Sequence, residues 1–70
     1  MEDIQRRVGE NIRELRKAGG YRQDDFAVRA GINRTHMGMI ERGEVNITLA
    51  SLKIIADALG VTINDLTKGV

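Results

Sequence analysis

The chain contains no cysteine, no proline and no tryptophan, and its aromatic residues are one tyrosine and one phenylalanine. Without cysteine no disulfide can form, and a single histidine leaves too few soft ligands for a structural zinc site. The lack of cysteine also suits a reducing compartment, so a cytoplasmic location is expected. An aromatic content of 3% argues against a large apolar pocket for a small ligand, and no cofactor is implied. No run approaches the roughly 18 apolar residues of a membrane span. The opening MEDIQRR is acidic before it is basic and lacks the apolar core of a signal peptide. Bulk charge is nearly absent too. A formal net charge of +1 excludes a binder that relies on overall positive charge, so any nucleic-acid role must come from local placement. No catalytic set is visible either. Asp24 and Asp25 adjoin, but two acids need a cleft and shifted pKa values before they do acid–base chemistry.

What is present is a short, mixed-charge, helix-patterned chain. Seventy residues make one domain, 1–70, with no room expected for a sensor domain after the last element. A core of this size gives roughly 3–5 kcal/mol, so small domains often rely on a staple. With disulfide and zinc excluded, oligomerisation is the staple that remains.

The apolar residues recur at spacings of three and four, which predicts an all-α fold of five short helices. Ile4, Val8, Ile12 and Leu15 form a first stripe that Gly19-Gly20 ends. Phe26, Ala27 and Ala30 fit a second helix stopping at Gly31, with Asp24 and Asp25 in its first turn, where the helix dipole favours anions. Asn33 is a good N-cap for a third helix running toward Gly43. Thr48 caps a fourth, with Leu49, Leu52, Ile55, Ala56 and Leu59 inward and Gly60 as its stop. Thr62 with Asp65 resembles a capping box for a last helix carrying Ile63 and Leu66.

The second and third helices are joined by only Gly31-Ile32 before the new cap. A joint this tight turns the chain sharply, which describes a helix-turn-helix. Phe26, Ile32, Met37 and Ile40 are then expected inward. In GINRTHMGMIERG this leaves Thr35, Gly38, Met39 and Arg42 on the opposite face, with Arg34 and His36 flanking it. Gly38 costs a helix interior about 1 kcal/mol relative to alanine, so something other than helix stability chose this face.

Three segments, NIRELRKAGGYRQDDFA, AGINRTHMGMIERGE and TLASLKIIADALGVTINDL, together resemble the Cro/cI-type (Xre-type) helix-turn-helix DNA-binding domains of phage repressors and bacterial regulators. The resemblance runs from about Val8 to Leu66. NRTHMGMIERGEVNITLASL is most similar to the controller proteins of restriction–modification systems. It implies a lambda-repressor-like five-helix fold and a non-enzymatic, sequence-specific transcriptional regulator that binds a double-stranded DNA operator as a homodimer. Occupancy would block or recruit RNA polymerase. An antitoxin-like module with a toxin partner, or a phage repressor fragment, are the alternative readings.

The recognition helix of such a domain enters the major groove with its N-terminal residues at the base edges. The resemblance therefore implies base contacts from Arg34, Thr35, Gly38 and Met39. An arginine can grip guanine O6 and N7, a threonine methyl can touch thymine, and a glycine allows close approach. Gln23, Arg22, His36, Arg42 and Asn46 are the implied phosphate contacts. Arg16 and Glu41 occupy the positions of a partly buried ion pair tying the first helix to the third. Three residues depart from the family pattern: Arg22 replaces a Ser or Thr cap, His36 a tyrosine, and Met39 a polar base reader. The apolar groups of the last helix, with Ile63 and Leu66 at the centre, are the expected dimer interface.

Overall fold

The first helix of the chain is long because its apolar positions stay in phase for four turns and its ends are capped. In the computed structural model, which describes residues 3–70, α1 spans Ile4–Ala18. The Asp3 carboxylate accepts the Arg6 N–H at 3.1 Å, a cap that satisfies one of the open donors of the first turn. Met1 and Glu2, the start of the segment judged for a signal sequence, lie outside the described residues. Four further helices follow, α2 Gln23–Ala30, α3 Arg34–Glu41, α4 Leu49–Leu59 and α5 Ile63–Leu66. Among the described residues there is no strand.

The turn between α2 and α3 is built by Gly31 at φ +69°, a left-handed conformation that glycine adopts without a Cβ penalty. Its N–H donates to Val28 O at 3.1 Å, and the Ile32 N–H reaches back to Ala27 O at 2.9 Å, closing a Schellman motif. Ile32 is thereby turned onto the core, and Asn33 begins the next helix. The Asn33 side-chain oxygen accepts the N–H groups of Thr35 at 2.8 Å and His36 at 3.3 Å.

Val8, Ile12, Phe26, Ala27, Met37, Ile40, Leu52, Ile55, Ala56 and Leu66 form one buried cluster fed by all five helices. Two stripe positions do not join it. Ile4 is 58% exposed and Leu49 is 77% exposed, because each opens its helix beyond the edge of the elements packed against it. Within α1, Gly9 is buried where α3 crosses: a Cβ there would lie 2.4 Å from Ile40 O and 2.7 Å from Glu41 O. Only hydrogen fits between these backbones.

The last helix is held at both ends. The Asp65 N–H donates to the Thr62 hydroxyl at 3.1 Å while the Thr62 N–H donates to the Asp65 carboxylate at 3.0 Å, a complete capping box. The Asn11 side chain donates to Leu66 O and Lys68 O, both at 2.9 Å, pinning the C-terminal turn to α1. The backbone and hydroxyl hydrogen bonds of Thr62 hold the Asp65 carboxyl below the ordinary aspartate value. A depressed folded-state pKa contributes stability above the unfolded value and loses it as pH falls through the folded one. In an acid titration followed by NMR, the Thr62 amide should therefore move only below the ordinary aspartate range. A midpoint at or above that range would mean the box is open in solution.

Leu66 is fully buried, against α1 and α4. It cannot be the centre of a dimer contact, as the sequence reading expected, because the domain's own core already uses it. Ile63 remains half-buried, and the large exposed apolar groups of the C-terminal half are Leu49, Ile54 and Val70.

Candidate nucleic-acid interface

The structural anchor beneath α3 is an ion pair that spans 25 residues of sequence. Arg16 Nε and Nη2 donate to the two Glu41 oxygens at 2.7 and 3.1 Å, and Arg16 Nη1 donates to Tyr21 O at 2.9 Å. Both side chains are almost wholly out of solvent, at 8% and 3% exposure. A bidentate guanidinium–carboxylate pair fixes orientation as well as charge. It locks α3 onto α1 and the α1–α2 connection.

Gln23, at the first position of α2, adds a third donor to this anchor. Its Nε2 donates to Glu41 Oε1 at 3.1 Å, so the side chain expected on phosphate is half-buried and already committed to α3. Arg22 makes no side-chain cap bond, as its departure from Ser or Thr implies, and the first N–H groups of α2 lack that partner. Arg22 and His36 are both exposed. Asn46 is exposed as well, and its side-chain oxygen accepts from the Gln5 amide of α1.

On α3 itself, Arg34, Thr35 and His36 are exposed and Met39 is half-exposed. Arg34 Nη1 lies 3.1 Å from the Asp24 carboxylate of α2, a solvent-exposed pair that bridges the two helices of the motif. Gly38 differs from its expected role. It is buried, not open to a groove, because the Arg42 guanidinium and the Gln23 amide lie over it. A Cβ on Gly38 would stand 3.1 Å from Arg42 Nη1 and 3.6 Å from Gln23 Oε1.

Arg42 is not a free cation. Its Nε and Nη2 donate to the two Glu44 oxygens at 2.9 and 3.1 Å. The hydrogen bond from Arg42 holds the Glu44 carboxyl below its usual range, and the same bond raises the Arg42 pKa. The turn after α3 brings these two exposed side chains within reach of each other, since the Glu44 N–H donates back to Met39 O at 2.9 Å. Arg13, on α1, lines a shallow cleft of about 350 Å³ with Arg16, Gln23, Glu41 and Arg42.

Arg13 and Glu44, like Gln5, are residues of this surface that sequence reasoning passed over. Glu44 carried a legible signal, an acid two residues after a face-forming arginine. Arg13 carried none, because only the crossing of α1 over α3 brings it there. Among the described residues no group of acids, histidine or cysteine could hold a metal ion, and no helix is long and apolar enough to cross a membrane.

Comparison with known proteins places this arrangement. The family described as Helix-turn-helix matches residues 12–66. Control protein C.SmaI of Serratia marcescens is 38% identical over 64 residues, covering 91% of this chain and 76% of the relative. The crystal structure of the restriction–modification controller protein C.AhdI from Aeromonas hydrophila superposes with a TM-score of 0.85 at 34% identity, over 89% of this chain and 94% of that one. SinR, a master regulator for biofilm formation solved in complex with DNA, superposes with a TM-score of 0.80 at 28% identity, covering 84% and 95% of the two chains. With its five helices, its Gly31 turn and an α3 locked from below by Arg16 and Glu41, the chain belongs to the helix-turn-helix family of DNA-binding regulators.

Proposed function

We propose that this DNA-binding regulator occupies an operator as a homodimer, in the manner of a restriction–modification controller, and sets transcription by blocking or recruiting RNA polymerase. The observation that supports this most directly is the outer start of α3. Asn33 caps the helix, and Arg34 and Thr35 follow at its exposed N-terminal end, the end that enters the major groove in this motif. Arg34, Thr35 and Met39 are the base-facing set. Arg22, His36, Asn46 and the amide end of α2 at Gln23 face the phosphates, where they contribute affinity without sequence information.

Arg34 is the residue to test. In-vitro selection of bound duplexes supplies a site, and Arg34→Ala is then measured on that site and on one with a single guanine replaced. Loss of about 1–3 kcal/mol of discrimination is expected. Equal losses on both duplexes would make Arg34 a backbone contact.

The small size of the domain and its exposed apolar surface support the dimer. A domain of 33 × 22 × 21 Å, paired about a two-fold axis, can present its two α3 helices one DNA turn apart, roughly 34–36 Å. With Leu66 in the core, the interface falls to Ile63 and the exposed Ile54 of α4. Ile63→Asp and Ile54→Asp should each sediment as monomers while keeping a cooperative thermal transition. Wild-type sedimentation by both variants would place the contact elsewhere.

A further inference from the structure

Arg42 carries a contradiction if it is a phosphate clamp. Neutral donors such as Asn46 can hold a phosphate by hydrogen bonding alone, but an arginine clamp adds net positive charge against a polyanion, and Arg42 is matched by a carboxylate on two of its donors. A phosphate approaching this guanidinium meets Glu44 as well, and the pair offers it no net charge. Both side chains are exposed, at 58% and 50%, and the backbone keeps them within reach of each other. The Glu44 backbone is tied to Met39 O, and the Arg42 guanidinium lies over Gly38, where any Cβ would crowd it.

The donors that remain point to a different ligand. A guanidinium has five N–H groups. Glu44 takes one from Nε and one from Nη2, which leaves both of Nη1 and one of Nη2. Nη1 and Nη2 together form an end-on edge of two parallel donors. That edge suits a neutral pair of acceptors, and guanine O6 and N7 are the pair a major groove presents to arginine. The position agrees. Arg42 follows Thr35 by seven residues, about two helical turns, so the two share one face of α3 and its cap. Lying back over Gly38, the guanidinium comes to the middle of that face.

We infer that Arg42 reads a guanine rather than holding a phosphate, with Gly38 giving it room and Glu44 acting as the positioning residue that fixes its free edge. This rests on α3 being the recognition helix, and it adds a specificity contact at the end of that helix remote from Arg34. Glu44 does two things in this arrangement. It orients the reader, and it removes the charge that would otherwise let Arg42 bind any duplex.

The test uses the full chain on a selected duplex and on duplexes with each guanine replaced singly, across a salt series. Arg42→Ala should lose roughly tenfold in discrimination at one guanine, distinct from the one that Arg34 reads, with the salt slope nearly unchanged. Glu44→Gln should tighten binding to unrelated duplex, steepen the salt slope by about one ion, and blunt discrimination at that same guanine. Gly38→Ala should melt higher than wild type, as a helix-interior alanine does, yet lose the same discrimination by displacing the guanidinium. Adding Gly38→Ala to Arg42→Ala should cost nothing more at that base pair. All of these side chains lie outside the core cluster, and a thermal melt of each variant verifies folding. A uniform loss on every duplex for Arg42→Ala, with a salt slope shallower by about one, would overturn the inference and restore the phosphate clamp. Arg34→Ala would still lose its own guanine in that case. If Arg34→Ala and Arg42→Ala both leave all preferences intact, the recognition-helix reading fails with it.

Discussion

Glu41→Ala should unfold the domain near room temperature, or lower its melting temperature by more than about 10 °C. The carboxylate removed is 3% exposed and accepts three donors, two from Arg16 and one from Gln23. Taking away one partner of a buried pair leaves the other charge desolvated and uncompensated, which costs about 3–5 kcal/mol. A core of this size supplies about the same amount in total. The remaining bond from Arg16 to Tyr21 O does not replace it, since a carbonyl carries no charge. Replacing both partners, Arg16→Met with Glu41→Leu, should recover part of the loss, because no orphaned charge then remains. Circular dichroism melts of the single and double variants check this. A Glu41→Ala protein that melts as wild type does would mean the pair is hydrated in solution.

Gly9→Ala should destabilise the domain even though alanine is the better helix former by about 1 kcal/mol. The added Cβ meets Ile40 O, Glu41 O and Glu41 C at 2.4, 2.7 and 2.9 Å, all backbone atoms that cannot swing aside. Relief requires moving α3 away from α1 as a body. Overpacking of this kind costs about 1–3 kcal/mol, so a net loss of about 2 kcal/mol is expected at the upper end of that range. The displacement also strains the Arg16–Glu41 anchor, so binding to DNA should weaken in the folded fraction. A rise in melting temperature would show that the two helices stand farther apart than this contact requires. The sign of the effect is the diagnostic.

Much of the fold was legible because it depends on neighbours along the chain. The caps Asn33, Thr48 and Thr62 and the stops Gly31 and Gly60 act within a few residues of themselves, and each falls where its residue type implies. The spacing of three and four fixes a helix, and the short Gly31-Ile32 joint fixes the angle between α2 and α3. The Arg16–Glu41 pair came from family resemblance, not from spacing, since 25 residues separate its members.

What the sequence alone could not determine is how many of those apolar and charged groups the domain would use for itself. Leu49 and Leu66 look alike in a helical pattern, yet one is 77% exposed and the other fully buried. A helix of four residues such as α5 has too few positions for periodicity to choose its inner face, and the packing of α1 and α4 chose it instead. The recognition surface behaves in the same way. Residue type marks Arg34, Arg42 and Gln23 as groups for DNA, but each has a partner of its own in Asp24, Glu44 and Glu41. The pairings of Arg34 with Asp24 and of Gln23 with Glu41 depend on angstrom-scale distances between helices, whereas Arg42 and Glu44 are neighbours along the chain. Charge interactions fall off with separation and with solvent exposure, so only the tertiary structure decides which cations face DNA free and which arrive already held.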